Sequence, residues 1–265
     1  MRRAVRLLTM GIHKLGRRVT SLHSRIRRAL RRRGVVGTAR QALMELLQLL
    51  LELRPSRFHA RAAERAASAA FDRTYDVDTG GRIHPGAMYD IEGESSIHGR
   101  RYQATDPGLF EQMIGASDIE PHRYSFIDYG SGKGRVLLLA SRLPFRRIVG
   151  VEHSPALHRI AEQNLRLVQF AERRSGPVES VCMDAVRFPI PEEPVVLYFF
   201  NPFERPIMEG MRDNVVRSYE SNPRSIVVIY HNPVDFAVWE AVEVFKRVAW
   251  SNVYGQEYAI YKAAD

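Results

Sequence analysis

At 265 residues the chain has room for one large domain with an appendage or for two small ones, and a hydrophobic content of 45% supplies a sizeable core. Its single cysteine, Cys182, excludes an internal disulfide framework and a zinc site built on several thiolates, so no metal site is expected and a reducing cytosol suits it. The net charge of +9 is split: residues 1–73 hold 18 Lys/Arg against 4 Asp/Glu, a balance of +14, while residues 74–265 hold 21 against 26, a balance of −5.

Such asymmetry joins a basic arm to a mildly acidic body, with the boundary placed between residues 1–74 and 75–265, and suggests an arm that meets something anionic. Residues 1–33 contain 12 Lys/Arg and no acid. Their apolar residues Val5, Leu8, Ile12, Leu15, Val19, Leu22, Ile26 and Leu30 recur at steps of three and four, a heptad-like stripe along one face of a helix. Gly11 and Gly16 weaken that helix by roughly 1 kcal/mol each, and Gly34 and Gly37 end it. A second helix runs through TARQALMELLQLLLEL, capped by Thr38 and closed by Pro55, and a third through FHARAAERAASAAFDR.

The apolar run at 41–53 is too short to span a bilayer, which needs about 20 residues. The long basic region is a poor match to a secretory signal, although an Arg-rich, acid-poor start is compatible with an organelle transit peptide. The arm therefore has three candidate partners: a partner helix or the body itself, an anionic membrane surface, and nucleic acid. Nucleic acid ranks behind the others, because no aromatic residue that could stack on bases occurs before Phe58. A cytoplasmic protein with peripheral membrane association fits these features.

From Asp76 the composition shifts to Gly, Asp, Ser and Pro, and the segment to Pro107 reads as a long ordered loop or lid, followed by a short helix, PGLFEQMIGA. Strand-like and helix-like runs then alternate. The strands are YSFIDYG, RIVGVEH, VESVCMDA, VVLYFFN and SIVVIYH, and helices fall near 134–143, 155–173, 205–221 and 235–246. Near-continuous apolar strands predict a parallel sheet with helices on both faces, and Cys182, inside the apolar run VCMDA, is expected to be a buried structural thiol. RVAWSNVYGQEYAIYKA breaks the rhythm with two strands about a tight turn. The expected fold class is α/β, a Rossmann-like doubly wound sheet of five parallel strands plus a C-terminal antiparallel hairpin, preceded by an α-helical extension.

In such sheets ligands sit beyond the carboxyl ends of the strands, where the strand order reverses. The loop after the first strand is Asp128-Tyr129-Gly130-Ser131-Gly132-Lys133-Gly134. It is not a P-loop, because Ile127 stands where the first glycine should be and Gly134 where Ser or Thr should be. Nor is it a dinucleotide fingerprint, because Arg135 occupies the third glycine position. Asp-x-Gly-x-Gly-x-Gly resembles motif I of the class I S-adenosylmethionine-dependent methyltransferases, and the resemblance runs from about Tyr102 to the hairpin.

That resemblance implies the cofactor S-adenosyl-L-methionine and a set of residues to hold it. Gly130, Gly132 and Gly134 let the backbone lie against the ligand without Cβ atoms in the way. Asp128 would take part in holding the ligand's ammonium. Glu152, at the end of the second strand, would accept hydrogen bonds from the ribose hydroxyls, and Asp184, at the end of the third, would meet the adenine amino group. Tyr102, Gln103 and Thr105 precede the sheet, where related protein-lysine methyltransferases carry a Tyr-x-Pro/Ala-Thr-like segment, and Tyr102 and Thr105 are expected against the cofactor.

On the substrate side, amino-group methyltransferases often have Asn/Asp-Pro-Pro-aromatic after the fourth strand. This chain has Asn201-Pro202-Phe203, one proline short. Asn201, in contact with both cofactor and acceptor, would aim an amine at the methyl group, and Phe203 would contact the substrate. A lysine acceptor must first lose a proton, which costs about 4–5 kcal/mol at neutral pH. Tyr230 and His231, at the end of the fifth strand, are the nearest candidates to receive it, although a histidine capping a strand end is the simpler reading of His231. The resemblance thus implies methyl transfer to an amine, with a protein lysine as one acceptor. O-methylation of a small molecule and a non-catalytic cofactor-binding partner protein are the alternatives.

Overall fold

The computed structural model describes residues 66–81, 102–167, 173–253 and 256–263. The amphipathic stripe, the second predicted helix and most of the 76–107 segment lie outside these residues.

Each of the five apolar runs forms a strand: β1 (Ser125–Tyr129), β2 (Ile148–Glu152), β3 (Val178–Cys182), β4 (Val195–Phe200) and β5 (Ile226–His231). They pair in parallel, and the antiparallel hairpin β6 (Phe245–Val253) and β7 (Gln256–Ala263) completes a seven-stranded sheet in the order 3-2-1-4-5-7-6. The helices are α1 (residues 66–75), α2 (Pro107–Ala116), α3 (Arg135–Ala140), α4 (Pro155–Leu167), α5 (Arg205–Ser221) and α6 (Ala237–Glu240).

The period of two along each strand divides the core between the faces. Phe126, Val196, Tyr198, Val227 and Ile229 point one way, against α2 and α3. Ile127, Tyr129, Leu197, Phe199, Val228 and Tyr230 point the other way, against Met208, Met211 and Val215 of α5 and Trp239 of α6. Central strands buried on both faces are what continuous apolar runs require.

Three local expectations need correction. Helix α6 stops at Glu240 instead of continuing to residue 246, because Phe245 opens β6 and pairs with Ala263. Helix α3 ends at Ala140 and Ser141 caps it, so residues 141–143 are not helical. Cys182 is exposed, not buried: β3 is an edge strand with only β2 beside it, so an apolar run there is not covered on both faces.

Residues 66–81 pack with the sheet's helices. Phe71 belongs to the first core face, and the Arg135 guanidinium lies 4.4 Å over its ring. The expected boundary at 74/75 falls inside this packed segment. Among the described residues, no helix is long and apolar enough to cross a membrane, and no cluster of His, Cys, Asp or Glu could hold a metal ion.

Candidate functional site

The chain runs β1, β2, β3 outward on one side and then returns to place β4 on the other side of β1. The crevice between the carboxyl ends of β1 and β4 is therefore the switch point of the sheet, where ligands of doubly wound folds bind. Two loops meet there, 130–134 after β1 and 201–204 after β4.

The first loop needs its glycines. Gly130, Gly132 and Gly134 all have positive φ, at 81°, 56° and 84°, a region that residues with a Cβ avoid. Space is as restrictive as the backbone. A Cβ at Gly130 would lie 2.6 Å from Pro202 Cβ, and one at Gly132 would lie 2.2 Å from the Tyr102 ring. One at Gly134 would lie 3.2 Å from Ala161 Cβ, so this glycine serves the packing of α3 on α4.

Glu152, at the tip of β2, fixes the middle of that loop. The Gly132 N–H donates to its Oε2 at 2.8 Å and the Ser154 N–H to its Oε1 at 2.7 Å. Burial pushes the Glu152 carboxyl up, and the N–H groups of Ser154 and Gly132 work against that. Each carboxylate oxygen keeps a second lone pair that can accept from a hydroxyl. The acid is thus both an organiser of the glycine loop and an available acceptor.

Asp128 differs. It is 3% exposed, and among the described residues nothing donates a hydrogen bond to its carboxylate. Burial holds its carboxyl well above the usual carboxylate range, and the neighbouring Glu152 adds to this. A buried carboxylate without donors is costly, and a cation brought beside it would relieve the cost.

After β4, Asn201 has φ of 40°, a left-handed conformation that asparagine tolerates better than most residues. The residue is buried, and its Oδ1 has no hydrogen-bond partner among the described residues. Pro202 abuts Gly130, which couples the two loops, and Phe203 is partly buried against the second core face. The switch point thus holds a carboxylate and an amide oxygen to which no described residue donates, beside a loop held in positive φ by its glycines.

The remaining expected residues sort differently. The Tyr102 ring covers Gly132, and its hydroxyl donates to Thr79 O at 2.6 Å. Thr105 is buried, and its hydroxyl bonds the Tyr198 hydroxyl at 3.0 Å, which in turn meets His231 Nδ1 at 2.9 Å. That network pins the start of α2 to β4 and β5. Asp184 lies two residues beyond β3, half-buried, and caps the short 3₁₀ turn Ala185–Arg187 by accepting from the Val186 N–H at 3.1 Å.

Of the candidate proton acceptors, His231 is 1% exposed and stacked on Phe200 at 3.7 Å, and Tyr230 is fully buried. Both lie inside the sheet's packing. The sequence reading missed Lys133, Arg135, Asn164, Asp72, Asp78 and Thr79, which bond to one another around the glycine loop. One signal was available: Arg135 opens the run RVLLLA, a helix with no polar face, so its charge could only be buried with partners.

An open parallel sheet with β7 inserted antiparallel between β5 and β6, a glycine loop after β1 and an acid closing β2 is a specific combination. The fold is the Rossmann-like doubly wound sheet with a C-terminal antiparallel hairpin that the sequence predicts. No family model matches the chain, and no curated protein matches it either. Solved structures similar to it include an RNA methyltransferase from Salinibacter ruber in complex with S-adenosyl-L-homocysteine, at 21% identity and TM-score 0.47, covering 61% of this chain and 94% of that one. A putative S-adenosylmethionine-dependent methyltransferase from Methanococcus maripaludis is similar at 13% identity and TM-score 0.46, covering 60% and 85%. A TehB-like methyltransferase from Corynebacterium glutamicum is similar at 14% identity and TM-score 0.43, covering 58% and 87%. The case for a ligand comes from this chain's own loops.

Proposed function

We propose that the chain binds S-adenosylmethionine and transfers its methyl group to an amine, with a protein lysine as one acceptor. The observation that carries this reading is Asp128, a buried carboxylate to which no described residue donates a hydrogen bond, placed at the head of a loop whose three glycines have positive φ. The ligand's cationic ammonium is the complement of that group. The adenosyl part would lie along Gly130–Gly134, the ribose hydroxyls would donate to Glu152, and the adenine amino group would face Asp184.

When bound, S-adenosylmethionine supplies a methyl carbon on a sulfonium: the acceptor's lone pair forms the N–C bond as the C–S bond breaks, and its electron pair returns to sulfur. This chain's task is positioning. Asn201 Oδ1 would accept an N–H of the amine and point its lone pair into the crevice, with Phe203 beside the acceptor. The amine gives up its proton before docking, because Asn201 cannot take one and His231 Nδ1 is engaged by Tyr198.

Calorimetric titration of the protein with S-adenosylhomocysteine tests the cofactor reading, and micromolar binding is expected. Labelled S-adenosylmethionine in cell extract, sorted into protein and small-molecule fractions, then tests the acceptor. Label in protein supports the amine reading, label only in small molecules supports the alternative, and binding without transfer identifies a non-catalytic partner protein.

Asn201→Gly should lower turnover about 10- to 100-fold, the range expected when an acceptor loses its alignment, while S-adenosylhomocysteine affinity changes little. Glycine keeps the left-handed backbone, so the variant isolates the amide. Asn201→Ala should be worse in stability as well, because alanine is strained at φ of 40°. Turnover of Asn201→Gly equal to the parent's would reduce the residue to a turn former.

For the arm we propose a peripheral contact with an anionic membrane, made by residues 1–33. Each Lys or Arg near such a surface contributes up to ~1 kcal/mol, screened by salt, while burial of the apolar stripe adds a part that salt does not remove. The protein should co-sediment with vesicles containing phosphatidylserine at low salt, and Leu15→Ser with Leu22→Ser should release it. A supernatant fraction unchanged by vesicles rejects the membrane. Binding to nucleic acid that ignores both serines and vanishes with salt would assign the arm there instead.

A further inference from the structure

Lys133 and Arg135 sit within and just after the glycine loop, beside the proposed cradle of the ligand. Their bonds go elsewhere. Arg135 is 2% exposed, and among the described residues its acceptors lie in residues 66–81. Its Nε donates to Thr79 Oγ1 at 2.6 Å, and its Nη2 donates to Asp72 Oδ1 at 2.9 Å, to Ser68 Oγ at 2.9 Å and to Ser68 O at 3.2 Å. Lys133 Nζ donates to Asp78 Oδ1 at 2.6 Å and to Gly80 O at 3.0 Å.

The same short segment is fastened twice more. Asn164 of α4 accepts from the Asp78 N–H and donates to Asp78 O, each at 2.9 Å, and donates to Lys133 O at 2.8 Å. Asp72 accepts from the Thr79 N–H, the Thr79 hydroxyl and the Gly80 N–H. Residues 76–81 thus form a strap tied down over the loop by side chains that the loop and its neighbours supply. The strap's last effect is on Tyr102: Thr79 O receives the tyrosine hydroxyl, and the ring lies on Gly132.

We infer that Lys133 and Arg135 are positioning residues for the bound cofactor, which hold the 76–81 strap against the glycine loop and, through Thr79, set Tyr102 over Gly132. The inference rests on reading that loop as the cofactor's cradle. Neither cation touches the ligand. Each acts through the strap, so that the wall facing Gly132 is built from a segment more than 20 residues away in sequence, not from the loop alone.

The test uses the full chain with S-adenosylhomocysteine as probe. Lys133→Met keeps the length and apolar stem of the side chain and removes only the ties to Asp78 and Gly80. Arg135→Met would strand Asp72 and can fail to fold, so Lys133→Met and Tyr102→Phe carry the decision. Amide hydrogen exchange at 76–81 should quicken about tenfold in Lys133→Met, as expected for loss of a charge-assisted hydrogen bond. S-adenosylhomocysteine should dissociate faster by a similar factor, with little change in melting temperature, and Tyr102→Phe should shift dissociation in the same direction. A merely structural role would move melting temperature and leave dissociation alone. Parent and Lys133→Met with equal dissociation rates overturn this inference while leaving the cofactor reading intact, as do equal exchange rates at 76–81. A parent that binds no S-adenosylhomocysteine overturns both.

Discussion

Asp128→Asn should make the ligand-free protein more stable and at the same time remove its affinity for S-adenosylhomocysteine. The carboxylate is buried beside Glu152 without a hydrogen-bond donor among the described residues. Leaving a buried polar group unsatisfied costs about 1–3 kcal/mol, and more when it is charged, so a neutral amide of the same shape removes part of a standing penalty. For a chain of this size each kcal/mol corresponds to about 2–4 °C in Tm.

The sign with pH follows from the direction of the shift. A carboxyl raised in the folded state contributes stability that is full below its unfolded value, about 3.9, and is lost as pH rises through the folded value. The Tm advantage of Asp128→Asn should therefore be absent near pH 4 and grow toward neutrality. Ligand affinity of the parent should strengthen over the same window, as the carboxylate that meets the ammonium ionises. Thermal melts and calorimetry across that window check both halves, and a variant that binds like the parent would end the proposed role of Asp128.

Gly132→Val should abolish binding by a separate route. At φ of 56° a branched side chain is strained by about 1–3 kcal/mol, and its Cβ would start 2.2 Å from the Tyr102 ring. Either the ring leaves or the loop does, and the loop carries the N–H that Glu152 holds. We expect at least a hundredfold loss of S-adenosylhomocysteine affinity, equivalent to about 2.8 kcal/mol, together with a lower Tm. Gly134→Ala separates fold from site: its Cβ would press on Ala161 Cβ, so it should cost stability and spare more of the binding. Calorimetry on folded Gly132→Val that returns an affinity within threefold of the parent would contradict the cradle.

The strands were legible because a strand buried on both faces has only one composition available to it, and runs such as FIDY and VVLYFF satisfy it. The glycine loop was legible for a similar reason, since three positive φ angles within five residues leave little alternative to glycine. The end of α6 was not. Val242 and Phe245 follow Trp239 at helical steps of three, and only the cross-strand partner Ala263 makes Phe245 a strand residue. Asp128, Glu152 and Asn201 could be placed at strand ends, but which of them lacks a donor is a three-dimensional fact. The strap was missed because charges in a sequence are first assumed to be solvated, and Arg135 finds Asp72 and Thr79 only once α1 packs beside α3. The arm lies outside the described residues, and its partner rests on sequence alone.

The insertion of β7 between β5 and β6 has a bearing on how the chain is made. β5 finds its outer neighbour not in the next strand to be synthesised but in the one after it. Until residues 256–263 dock, the β5 edge, IVVIYH, presents unpaired backbone groups along an apolar strand, the kind of edge that invites pairing with another chain. A chain cut short before Gln256 would therefore keep an open sheet edge, and should aggregate at concentrations that leave the full chain in solution.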